Sequence, residues 1–116
     1  MKTFSIAVLL ALAPIFPFAA NADPGGSCHF HGSKPATEAT VLKCADQRKA
    51  NLVSTGKLEK SWSEIKQDSI VMVDGKKAKE WRVIYKNPTI NDDGKKTLYM
   101  FFTAPGNFIA ANFTGQ

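Results

Sequence analysis

Hydrophobic positions along this chain follow two periods, one helical and one alternating, and the change comes after Ile65. Between Ala36 and Ser54, Val41, Leu42, Ala45, Leu52 and Val53 recur at roughly helical spacing. Lys43, Asp46, Gln47, Lys49 and Asn51 fall between them and are expected to face solvent. Ser33 reads as the N-cap, Pro35 as a first-turn proline and Gly56 as the C-terminal stop. Leu58, Trp62 and Ile65 lie at i, i+4 and i+7, which suits a short helical turn with Trp62 as a core anchor.

Beyond that point the period falls to two. Ser69–Val73 is a β-type run, and Asp74-Gly75 is a hairpin signal. Trp81–Tyr85 resumes with Trp81, Val83 and Tyr85 on one face. Asn87–Lys96 is a polar loop. Thr97–Thr103 is the most apolar strand, with Leu98, Met100 and Phe102 alternating against Tyr99 and Phe101. Pro105-Gly106-Asn107 makes a tight turn, and Phe108–Phe113 closes as a fourth strand. The links are too short for parallel crossovers. The pattern therefore predicts an α+β fold over residues 35–116, with an N-terminal helix packed on one face of a four-stranded antiparallel meander sheet.

The first residues obey another pattern. Met1 and Lys2 precede an apolar run from Ile6 to Ala13, and Ala20-Asn21-Ala22 supplies a small-x-small ending. Residues 1–22 are expected to be a cleavable signal peptide, cut near Ala22, which places the mature protein in the periplasm or outside the cell. A retained span would need about 20 continuous apolar residues, and Pro14 and Pro17 interrupt this one. Cys28 follows Gly25-Gly26-Ser27, which is no lipid-attachment pattern, so no membrane anchor is expected. Residues 23–34 hold Pro24, Gly25, Gly26 and Gly32 with few core formers, and read as a flexible segment bearing Cys28, His29 and His31.

Net charge is +5 over 116 residues. The charges are spread along the chain, and export removes intracellular nucleic acid as a partner, so a solvated surface is the expectation. Cys28 and Cys44 make an even pair, which an oxidising compartment favours as a disulfide. Cys28-His29-x-His31 also offers thiolate and imidazole ligands suited to zinc or copper. Three states stay open: a disulfide with idle histidines, disulfide-braced histidines binding copper or zinc, and a reduced site using Cys28, Cys44 and the histidines. The His-x-His pair is expected to need a turn, or a backbone nitrogen, before both rings reach one ion.

Other constellations carry less. Cys28 and His29 are adjacent, without a flanking signature for a nucleophilic pair. Asp92-Asp93 beside Gly94 reads as a solvated turn. Lys76, Lys77, Lys79, Lys95 and Lys96 suit strand ends that discourage edge pairing. No nucleophile, base and stabiliser form a set, so the chain is not expected to be an enzyme. The sheet face away from the helix is the better candidate, with Tyr99 and Phe101 beside Ile84 as a surface for an envelope protein or peptide.

Cys28-His29-Phe30-His31-Gly32, the pairs Ser61-Trp62 and Glu80-Trp81, Thr97-Leu98-Tyr99-Met100-Phe101-Phe102 and the ending Gly106 to Gly115 together resemble a family of small exported bacterial proteins without an established function. That family is similar to the broader PepSY-like group, whose members pack a helix against an antiparallel sheet. The likeness covers nearly all of the mature chain. It implies a histidine-bearing segment before the helix, matched by His29 and His31, and carries over no catalytic residues. As a distant analogy, it implies regulation or inhibition of secreted peptidases.

Overall fold

The computed structural model describes residues 28–116. The expected signal peptide and the first residues of the segment after it lie outside the described residues. The described chain has one helix, α1 (Glu38–Ser54), a 3-10 turn (Lys60–Glu64), four strands, β1 (Gln67–Asp74), β2 (Lys79–Lys86), β3 (Thr97–Thr103) and β4 (Phe108–Asn112), and a three-residue 3-10 stretch (Asp93–Lys95) in the β2–β3 loop. The strands form one antiparallel sheet in chain order, with the helix on one face, the α+β meander that the periodicity predicts. No described helix is long and apolar enough to cross a membrane.

Helix α1 begins later than Ser33 and Pro35 imply. Thr37 is the N-cap, and its Oγ1 accepts from the Thr40 amide at 3.2 Å. Glu38 puts a carboxylate in the first turn, where the helix dipole favours it. Residues ahead of it are drawn off by another bond, from the Ala36 amide to the Ala104 carbonyl at 2.8 Å. The C-terminus closes as expected at Gly56. With φ at +81°, Gly56 lets its own amide reach Val53 O while Lys57 N reaches Leu52 O, a Schellman closure that satisfies the last carbonyls.

The core lies between α1, the 3-10 turn and one sheet face. Trp81, Val83 and Tyr85 from β2 and Leu98, Met100 and Phe102 from β3 are buried with Val41, Ala45 and Trp62. The expectation fails at Lys49, which is 5% exposed rather than outward. Val41, Ala45 and Lys49 are spaced by four residues each, so Lys49 stands on the buried stripe. Its ammonium donates to Trp62 O at 2.7 Å and to Ile65 O, with Ser63 O at 3.5 Å, and lies 5.3 Å from the Tyr85 ring centre. Burial pushes its pKa below the ordinary lysine value, and Asp46 and Glu64 pull it back up.

The β1–β2 connection is wider than Asp74-Gly75 implies. Asp74 pairs with Lys79, and the Gly75 amide bonds to Ala78 O at 2.9 Å across a four-residue loop. Gly75 is not among the glycines with positive φ, which a two-residue type I′ turn would require of it.

Two predictions follow from the packing. Lys49→Met keeps the stem but takes the ammonium from the Ile65 carbonyl and leaves the Trp62 carbonyl only the Ile65 amide. A loss of about 2 kcal/mol is expected in urea denaturation at neutral pH, against under about 0.5 kcal/mol for the exposed Lys43→Met.

Tyr85 supplies the second. Its hydroxyl donates to Asp46 Oδ1 at 2.9 Å, and burial first, then the Asp46 charge and that bond, hold its proton far above the usual value of 10.0. The unfolded chain releases this proton near pH 10 while the folded chain keeps it, so stability falls as pH rises from there. Tyr85→Phe should cost about 1 kcal/mol at pH 7 and show a shallower decline between about pH 9.5 and 11.5. Lys49 contributes the opposite slope in both proteins, so the difference between their denaturation midpoints reads Tyr85 alone.

Candidate functional site

Alternation along β2 and β3 leaves a second set of side chains on the sheet face away from α1. The register aligns them in rows across the strands: Val71, Arg82, Phe101 and Ala110 in one, Ser69, Ile84, Tyr99 and Asn112 in the next, and Val73, Glu80 and Thr103 nearest the hairpin. The predicted patch is thus brought to one face, but its members differ. Phe101 is 8% exposed, and Ile84 and Tyr99 are half-buried. The chain end folds back over Tyr99: Asn112 Oδ1 accepts from the amides of Thr114 and Gly115, and Gly115 packs on the Tyr99 ring. The Arg82 guanidinium carbon stands 6.0 Å from the centre of the same ring.

What remains open is a groove of about 840 Å³ at the hairpin end of this face. Val73, Arg82, Phe101 and Ala110 line its base, with the Gly75–Ala78 hairpin, Ile109 and the tail residues Gly115 and Gln116 around it. Ile109 is 43% exposed, set outward where the β3–β4 register shifts. Arg82 is the one described residue with a buried side-chain polar atom, Nε, that has no hydrogen-bond partner. A smaller hollow of about 510 Å³ on the helix side, lined by Asp46, Lys49, Glu64 and Ile65, contains an ammonium already committed to backbone carbonyls.

The Cys/His segment is held from Cys28 onward, although its glycines read as flexible. Cys28 and Cys44 form a disulfide. Phe30 donates its amide to Asn107 Oδ1 at 2.8 Å and accepts from Asn107 Nδ2 at 2.9 Å. Gly106, at φ +109°, lies so close to the Phe30 ring that a side chain there would press on it. The disulfide withdraws both thiolates from any metal site. His29 and His31 are exposed, with ring centres 6.5 Å apart and planes within 5°. No turn brings them together, because side chains two apart on an extended segment share a side. Among the described residues, no three His, Cys, Asp or Glu side chains gather as a metal-binding group.

Sequence reasoning missed Arg82, Asn107 and Lys49. Arg82 was legible by its place opposite Trp81 and Val83 in the alternation. Asn107 carried no signal, since its partner lies 77 residues away. Asn112-Phe113-Thr114 forms the turn that folds the tail.

Fold and groove together define a small disulfide-braced α+β domain with an open, partly apolar sheet face. The chain belongs to a family of unknown function (DUF6488), whose model matches residues 1–116. No curated protein and no solved structure matches it.

Proposed function

We propose that the protein is a non-enzymatic binding module, exported to the periplasm or secreted, whose open sheet face holds a segment of a protein or peptide. The groove on that face carries the proposal: its volume of about 840 Å³ suits several residues of extended chain, and its base offers apolar contact beside an arginine. The disulfide suits an oxidising compartment. The likeness to PepSY-like proteins points the same way, toward action on another protein rather than on a small substrate.

Selection of displayed random peptides against the purified protein tests this. Enriched peptides are expected to bind the protein and to lose at least about tenfold in affinity to Ala110→Trp, whose indole would occupy the groove base. Enriched peptides that bind this variant as well as the native protein would place recognition elsewhere and end the proposal.

A second reading is favoured by the two exposed imidazoles on one side of the Cys28–Gly32 segment. In it, His29 and His31 bind copper or zinc, completed by water or a backbone nitrogen. Calorimetric titration should then give a one-to-one copper or zinc isotherm that vanishes in His29→Ala/His31→Ala. Equal heats from both proteins would remove this reading.

A further inference from the structure

The charge around the groove narrows its ligand, on the premise that the groove binds peptide as proposed above. Four cations line it, Lys76, Lys77, Lys79 and Arg82, against two acidic side chains, Asp74 and Glu80. Lys79 is taken by Asp74 at 2.8 Å. Among the described residues, the ion pairs are Lys79–Asp74, Lys86–Asp68 and Lys96–Asp93, so Lys76, Lys77 and Arg82 enter none.

Arg82 is the cation set into the base. Its cross-strand partner on that face is Phe101, and its Nε is buried without an acceptor. Its side chain lines the groove, where a carboxylate would meet the guanidinium with a charge-assisted bond.

We propose that the groove recognises an acidic, extended segment of a partner protein. One carboxylate pairs with Arg82, an apolar side chain two positions away lies on Phe101 and Ile109, and further carboxylates meet Lys76 and Lys77. The spacing fits. Cross-strand neighbours such as Arg82 and Phe101 stand about 5 Å apart, and side chains two apart on an extended ligand are separated by about 7 Å on the same side. A single-chain lipid anion would satisfy Arg82 and leave both lysines unanswered, so a multiply acidic peptide is the better occupant.

The test uses the purified protein and two fluorescein-labelled octapeptides, Ser-Asp-Ser-Leu-Ser-Asp-Ser-Leu and its counterpart with lysine for aspartate. Anisotropy should show binding of the acidic probe alone, weakening steeply from about 50 to 500 mM salt. Arg82→Gln and Lys76→Glu/Lys77→Glu should each weaken it at least about tenfold. The second variant changes only exposed hairpin residues and keeps the test valid if the first misfolds.

Acidic-probe binding that ignores both variants would overturn the proposal, as would no acidic binding at all. Equal binding of both probes, lost in Ala110→Trp, would overturn the acidic chemistry and leave the peptide groove standing. Oleate or phosphatidylglycerol vesicles that displace the acidic probe through Arg82, while Lys76→Glu/Lys77→Glu changes nothing, would replace the peptide with a lipid anion.

Discussion

One ammonium ties the layers of this domain together. Lys49 Nζ reaches from α1 to the carbonyls of Trp62 and Ile65, in the middle and just past the end of the turn that inserts Trp62 into the core. A buried charge is costly unless its hydrogen bonds are met, and here the donors find the Ile65 carbonyl and the Trp62 carbonyl, which also accepts from the Ile65 amide. The exchange satisfies both sides and fixes the turn against the helix. Tyr85 extends the arrangement into the sheet, its ring 5.3 Å from the ammonium and its hydroxyl on Asp46, one helical turn before Lys49. Helix, turn and central strand are therefore registered by polar contacts inside an apolar core, where a small domain has little area to spare.

The fold was legible because its periods are clean. Alternation in β2 and β3 placed all six inward side chains, from Trp81 to Phe102, on the buried face, and short links left only an antiparallel meander. Failures came where a local signal competed with a distant bond. Ser33 and Pro35 carry helix-start chemistry, yet the Ala36–Ala104 bond keeps the chain extended until Thr37. Lys49 was misplaced by residue type alone; its spacing from Val41 and Ala45 already put it inside. Asp74-Gly75 marked the hairpin, but the signal does not state the length of its loop.

The candidate site was legible in outline only. Naming Tyr99, Phe101 and Ile84 pointed to the sheet face that carries the groove but not to its open part, because the tail that covers Tyr99 is folded by Asn112, whose side chain acts three residues down the chain. Arg82 drew no attention as a charged residue in a strand. Its standing comes from what surrounds it: Phe101 across the ladder, Tyr99 beneath the guanidinium and no acceptor for Nε. Such a combination is a property of register, not of composition.

The β3–β4 turn connects the two faces. Its Ala104 carbonyl accepts from both the Ala36 amide and the Trp81 indole, so one oxygen holds the lead into the helix and a core side chain of β2. Three residues on, Asn107 grips the backbone of Phe30 on both sides. The segment so held runs from the disulfide on α1 past this turn to Gly32 and Ser33, which line the groove together with Thr103, Ala104 and Pro105. That end of the groove is thus built from backbone fixed by a covalent bond and by side-chain clamps. A ligand meeting it finds a wall already ordered, and ordering entropy that a loose loop would lose on binding is spent during folding instead. The histidines ride on the same braced segment, so their spacing is set by the fold and not by whatever they meet.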